Sequence, residues 1–476
     1  MASLQHPFQC LQVAKRGSQG LPDLLIATAG RYLYAYNATN GQRLDAWPQD
    51  VGSVTESTSS TVQTADAHAP PEKRRKLSSD SEVQEQKQTS NKKAPIWTVI
   101  PLVVTSSDGK YVIALTGEDK AIRVFELNID GKFKELSSRV MPKRASALAL
   151  TPDGQNIIIA DKFGDVYSIP LIPGEYVKKV VEAKPIGPSA TPLTVHTKGN
   201  LRTLEMQKLH AERTAKAIPQ DDDKLNFEHH TIIGHVSVLT DLLAVSLSGR
   251  NYILTGDRDE HIRVSRGLPQ AHVIENFCLG HPTMVTKLCI PSWAPHLLVS
   301  GDGAGNLFVW NWRQGQILQR ISTQETLQSE FMINGIWDIS SDQANVILVS
   351  FEGSAQLLCY KLEEQGLQVQ DTIQLSGNVL DLVGASSSGS VFVSVDTVRE
   401  AGSIDSWKSS SGAPLESFQI TLGADGIKLS ATEDPVAANI NVVGTSDLPA
   451  DLNEKQKKEI NTSLYNLDNL RKRAFA

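Results

Sequence analysis

The chain has 476 residues, 40% hydrophobic and 21% charged, with a formal net charge of −7. That length and composition describe a globular protein able to bury a full core, as a few ordinary domains or as one large repeat architecture. They exclude a helical membrane protein: the best apolar run, IWTVIPLVV at 96–104, is less than half of the roughly 20 residues that span a bilayer.

The first twenty residues lack a basic-then-apolar leader pattern, so an intracellular location is expected. Residues 72–93 carry seven Lys/Arg against four acids and 451–476 carry six against four, so the remainder totals −12. Phosphate affinity scales with the cations supplied, so nucleic acid is not expected to lie over a broad surface of such a chain. Any contact needs a local patch or a partner. Cys10, Cys278, Cys289 and Cys359 lie far apart without CxxC spacing. Reduced, buried thiols are expected, rather than a zinc site or a disulfide framework.

In chain order, LLIATAGRYLYAYNATNG (24–41) reads as two strands and a turn. Residues 50–95, rich in Ser, Thr, Gln and Lys, read as a disordered insertion. Within them EKRRKL (72–77) fits either a nuclear-import signal or a solvated charge cluster. GEDKAIRVFEL (117–127) follows an apolar run ending in Thr-Gly and reads as a hairpin, with Asp119 as its turn acid. ALALTPDGQNIIIADKFGDVYSIPL (147–171) holds a Pro-Asp-Gly turn between apolar runs. Residues 173–230 read as a second long insertion.

The grammar then sharpens. GDRDEHIRVS (256–265) and LLVSGDGAGNLFVWNW (297–312) each follow a Gly-His pair, Gly234-His235 and Gly280-His281, 46 residues apart. That spacing is close to the roughly 40–45-residue period of a WD-repeat blade. VILVSFEGSAQLLCYKL (346–362) and VFVSVDTVREAGSIDSWK (391–408) complete seven units, enough to close a ring and remove long exposed strand edges. The expected fold is all-β: a seven-bladed WD-repeat β-propeller over 1–450 with insertions at 50–95 and 173–230. A short helical tail follows at 451–476. Its Ile460, Leu464 and Leu467 fall on one helix face, and Arg471-Lys472-Arg473 would favour the helix C-terminus. The tail either docks on the propeller or binds a partner.

In a WD-type blade the Gly-His histidine bonds a Ser/Thr and the aspartate of the hairpin turn, and a strand Trp joins them. For the fourth blade this predicts His235, Thr255 and Asp259, with Ser265 where Trp is usual. In the fifth, His281 and Trp310 are present but Ala304 stands at the turn acid, so that chain is expected to be incomplete. GDGAG (301–305) precedes a strand and reads as a hairpin turn, not a nucleotide loop. His229-His230 lies in a presumed loop without companions at ligand spacing. No nucleophile elbow, catalytic Cys/His pairing or methyl-donor site is visible. No enzyme is expected, and a binding or assembly role is.

That leaves the charge around 257–263 in excess of what a hairpin needs, with His261, Arg263 and Ser265 on one strand face. The stretch 234–281, above all DRDEHIRVS, together with ADKFGDVYSIPL (160–171), resembles the non-catalytic WD-repeat subunit of the eukaryotic, fungal-type tRNA (guanine-N7-)-methyltransferase. The resemblance covers most of the propeller and neither insertion. It implies a heterodimer in which a catalytic partner subunit holds S-adenosylmethionine and methylates N7 of the variable-loop guanosine of tRNA. The propeller itself, with no cofactor, would hold that subunit in an active conformation and help to seat tRNA in the nucleus. Residue by residue, it places the partner contact on Arg263, flanked by Asp257, Arg258 and His261. Lys162, Lys143 and Arg144 become either phosphate contacts or solvated cations. A general nuclear WD-repeat scaffold is the alternative.

Overall fold

The computed structural model describes residues 4–49, 97–174 and 225–472, apart from 328, 342, 364–365, 386–388, 411, 425 and 450, together with 201–202 and 205–206. The 50–95 insertion with EKRRKL, most of the 173–230 insertion, and Arg473 lie outside the described residues.

Among the described residues twenty-eight strands, from Cys10–Ala14 to Gly426–Ala431, form seven four-stranded antiparallel sheets, each built from four consecutive strands. The first strands of successive sheets contact one another around a closed cycle, which ends with Cys10–Ala14 against Val379–Gly384. This is the seven-bladed propeller. No strand is shared across the closure. Leu11 N donates instead to Asp381 Oδ2 at 2.7 Å, and farther out His6 N donates to Ser446 O and Leu448 N to Leu4 O.

The continuous apolar runs follow from this layering. In blade three, Ile157 and Ile159 pack into a cluster shared with blade two, while Ile158 packs into one shared with blade four. Side chains alternate faces along a strand, and both faces of a blade are covered, so no polar alternation survives at its centre. The fourth strand of blade three, His230–Gly234, begins at the end of the predicted second insertion. His230 is therefore a strand residue rather than a loop residue.

Two features differ from the sequence reading. Residues 435–443 form a helix, N-capped by Asp434, whose side chain accepts from Val436 N at 2.8 Å. Its Val436, Ala437 and Ile440 pack on blade one. The tail helix spans only Glu454–Leu464, closed at its start by an Asn453–Gln456 capping box. Leu467 and the basic run at 471 lie beyond its end, so the expected helix-terminus charge interaction does not occur. The tail docks through polar contacts. Asp396 and Arg399 form a fully buried ion pair at 3.0 Å, Tyr465 Oη donates to Asp396 Oδ2 at 2.6 Å, and Arg399 Nε donates to Asn461 Oδ1 at 2.7 Å.

Among the described residues no helix is long and apolar enough to cross a membrane. Cys278, Cys289 and Cys359 are buried free thiols, whereas Cys10 is partly exposed.

Candidate functional site

The hairpin between the second and third strands of blade four, the segment that stood out in sequence, is organised by Asp257. Its Oδ1 accepts from Asp259 N at 2.9 Å and His261 N at 3.0 Å, and its Oδ2 faces His235 Nδ1 at 3.8 Å. His235 Nε2 bonds Thr255 Oγ1 at 2.9 Å. The turn acid is therefore Asp257, 4% exposed, and not Asp259. Asp257 is an internal strut and offers nothing to a partner.

Blade five repeats the arrangement. Asp302 Oδ1 accepts from Ala304 N and Asn306 N, and Oδ2 faces His281 Nδ1 at 3.3 Å. His281 Nε2 and Trp310 Nε1 both meet Ser300 Oγ at 2.7 Å. The His–Ser–Asp–Trp chain expected to be incomplete is complete, and Ala304 costs it nothing.

The misplacement has a geometric cause. Asp119 lies inside its turn, three residues before Ile122, whereas the inward carboxylate of blade four closes the second strand, five residues before Ile262. Counting back from Ile-Arg-Val therefore transfers Asp119 onto the wrong aspartate. Asp119 itself is a turn acid, but it receives Thr116 Oγ1 and Arg123 instead of a histidine. The residue that ends the second strand was the better guide, since Asp161, Asp257 and Asp302 all occupy that place.

The two strand arginines of matching position then diverge. Arg123 is neutralised by Asp119 at 2.8 Å and Glu135 at 2.7 Å, and lies on the Trp97 ring at 4.3 Å. Arg263 is half-buried, donates from Nε to Ser265 Oγ at 3.0 Å and from Nη1 to Gly234 O at 3.1 Å, and has no carboxylate within 4 Å among the described residues. Burial lowers its pKa, but a guanidinium stays charged. His261, half exposed, stands 3.7 Å from Asp257. Arg258 is partly buried and borders a cavity of about 280 Å³ with Glu260, Met284 and Gly303.

The far side of that cavity is the C-terminal tail, which sequence reasoning did not place here. From its anchor on blade seven it crosses blade six, where Leu467 N donates to Glu352 Oε1 at 2.9 Å. On blade five, Arg471 Nη2 donates to Gly303 O at 3.0 Å. At the last described residue it reaches blade four, where Lys472 Nζ meets Asp259 at 3.0 Å and Glu260 at 3.8 Å. Lys472 lowers the Asp259 pKa. Asp259 and Glu260 thus hold the chain's own tail.

Blade three adjoins directly. His235 N donates to Gly164 O at 2.8 Å and Lys162 N to Arg144 O at 3.2 Å. Lys143, Arg144 and Lys162 therefore gather beside Gly234 and Arg263. Lys143 and Arg144 are exposed; Lys162 is half-buried, its pKa lowered by burial and then by Arg144. None of the three has a carboxylate within 4 Å among the described residues. The described residues hold no group of three or more metal-ligating side chains. The buried Cys278 and Cys359 thiols are pushed up to about 12 by burial, which disfavours the nucleophilic thiolate.

A family profile described as "tRNA methyltransferase TRM82 WD40 domain" matches residues 25–421. A protein of Aspergillus oryzae is 45% identical, covering 99% of each chain, and one of Coccidioides immitis is 38% identical, covering 95% of this chain and 96% of that one. Both are named tRNA (guanine-N(7)-)-methyltransferase non-catalytic subunit trm82. Among solved structures, U3-55K has a TM-score of 0.53 at 14% identity, covering 90% of this chain and 96% of its own. The RRP9 WD40 repeats have a TM-score of 0.53 at 13% identity, covering 91% and 99%. At that identity they show the propeller fold alone.

Proposed function

We propose, from the premise that this chain belongs to the TRM82 family of non-catalytic tRNA (guanine-N7-)-methyltransferase subunits, that it holds the catalytic subunit in an active conformation and helps to seat tRNA. The family accounts for a propeller without a reaction centre: the chain is an accessory subunit. The finer reading rests on one observation. Among the described residues, Arg263 is a half-buried cation without the carboxylate partners that its equivalent Arg123 possesses.

A desolvated guanidinium without a carboxylate is incomplete, and a partner's acidic side chain completes it. Truncating one member of such an interfacial pair costs about 2–5 kcal/mol. A two-state partner is shifted only by differential affinity, about 5.5 kcal/mol for full conversion from one form to the other. Arg263 supplies a large part of that and Arg258 and His261 border the same surface. S-adenosylmethionine then sits on the catalytic subunit. Lys143, Arg144 and Lys162, without a carboxylate partner among the described residues and on the blade that adjoins Arg263, orient tRNA phosphates without reading bases. EKRRKL fits a nuclear site of action.

Methyl transfer to tRNA by the catalytic subunit, measured with and without this chain, tests the reading. Activity should need both. Arg263→Glu should abolish co-purification of the catalytic subunit while the propeller melts as wild type; unchanged recovery would remove Arg263 from the interface. Lys162→Ala with Arg144→Ala should flatten the salt dependence of tRNA binding.

A further inference from the structure

The hairpin tip of blade three presents a large apolar ring where its neighbours present small or charged side chains. Phe163 is 66% exposed, and the matching positions after Asp257 and Asp302 hold Asp259 and Ala304. The turn itself uses only backbone at this residue: Phe163 N donates to Asp161 Oδ1 at 2.7 Å, as Asp165 N does at 3.0 Å. Folding therefore gains little from an aromatic ring here beyond the contact with the exposed Lys143, worth about 0.5–1 kcal/mol at such a site, and an exposed ring has an unfavourable contact with water.

The tip is also closely seated. Gly164 has φ +98°, and a Cβ there would lie 2.4 Å from His235 O. The turn that carries the ring thus lies directly against blade four, where Arg263 binds the neighbouring Gly234 carbonyl. Around it stand the three cations that lack carboxylate partners. Lys143 Nζ is 4.8 Å from the ring centroid, and Lys162 and Arg144 flank the same turn.

We infer that Phe163 is a stacking platform for one unpaired nucleobase of the bound RNA, with Lys143, Arg144 and Lys162 holding the adjoining phosphates. An aromatic face inside a cationic rim fits a single-stranded nucleotide, since every base has a π-face and a phosphate. The ring is not available to a base still paired and stacked in a duplex. An acidic peptide would satisfy the cations but not the ring. The inference rests on the reading that blade three faces RNA, and adds a contact that is not electrostatic.

The test uses the reconstituted heterodimer and fluorescence anisotropy with an unmodified tRNA transcript and, in parallel, a blunt RNA duplex. Phe163→Ala should weaken tRNA binding about tenfold and leave the salt slope unchanged, because no charge is removed. Phe163→Tyr should bind as wild type, and the duplex should not distinguish the variants. Wild-type affinity of Phe163→Ala for tRNA, or an equal loss on duplex, overturns the platform. The cation variants separate the two ideas. If Lys162→Ala with Arg144→Ala flattens the salt slope while Phe163→Ala is silent, only the stacking contact fails. If that slope is also unaltered, the reading of blade three as an RNA face fails with it.

Discussion

Lys472 and Asp259, from opposite parts of the chain, meet at 3.0 Å, so the last described residue of the tail closes over the turn beside the proposed partner contact. The tail is held far more firmly at its root than at its tip. Both members of the Asp396–Arg399 pair are fully buried, whereas Lys472 is half exposed. A surface pair of this kind contributes about 0–1 kcal/mol. The tip can leave blade four without disturbing the ring.

The root should be sensitive to one hydroxyl. Tyr465 Oη donates to Asp396 Oδ2 and accepts from Asn378 Nδ2. Tyr465→Phe takes one hydrogen bond from each in a buried site, leaving Asp396 its Arg399 partner and Asn378 its bond to Ser403 O, at a cost of about 1–3 kcal/mol. Thermal unfolding should show a lower Tm, and limited proteolysis should release the tail first. An unchanged Tm with a protected tail would contradict the anchoring role.

The reassigned turn acid separates two neighbouring aspartates. Asp257→Ala removes an acceptor of two backbone N–H groups and should destabilise by about 2–3 kcal/mol. Asp259→Ala removes an exposed pair and should stay within about 0.5 kcal/mol of wild type. Urea denaturation of both variants decides it. The reverse order would restore Asp259 as the structural acid.

Asp381 should leave a signature in the pH dependence of stability. Burial raises its pKa from 3.8 to about 6 despite the bonds it accepts from Leu11 and Leu382 N and from Trp337 Nε1. Between those values the folded state holds a proton that the unfolded state has lost. Its stabilising contribution is full below about pH 4 and fades as pH rises through about 6. The shift corresponds to at most about 3 kcal/mol. His6, lowered to about 4 by burial, acts in the opposite sense: its contribution is lost as pH falls from about 6.5 to about 4. Asp381→Asn should therefore give a stability that climbs more steeply with pH over this window than wild type does. Parallel curves would show that Asp381 titrates normally.

The first insertion should be dispensable to the ring. Its flanks are joined by Trp47 stacked on Trp97, centroids 5.1 Å apart, with Arg123 over the Trp97 ring. Replacing 50–95 by a short Gly-Ser linker should leave Tm unchanged. Trp97→Ala should lower stability by about 3 kcal/mol. A large loss on deleting the insertion would mean that it contributes to the core.

Much of this was legible from residues alone, for identifiable reasons. A blade is a local unit of four consecutive strands, so its repeat is written along the chain, and the 46-residue spacing of the Gly-His pairs reports it directly. The 257–263 segment stood out because its charge exceeded the needs of one hairpin, and the family resemblance singled out Arg263 within it. Asp257 and Asp302 were passed over because the inward carboxylate closes the second strand in blades four and five but lies inside the turn in blade two. The tail's end point was invisible, since Lys472 and Asp259 share no periodicity.

What the sequence by itself determined is the propeller, its seven units and the family to which they belong, because each rests on short-range pattern and direct identity. Only the tertiary structure decided which charges remain unpaired. Arg123 and Arg263 occupy equivalent strand positions in similar local sequences. One is enclosed by Asp119 of its own turn, Glu135 of the next strand and two tryptophans from other segments. The other, whose own turn holds Asp259 four residues before it, meets a hydroxyl and a backbone carbonyl. Whether a cation is satisfied depends on what long-range packing brings within about 4 Å of it, and no local pattern carries that information.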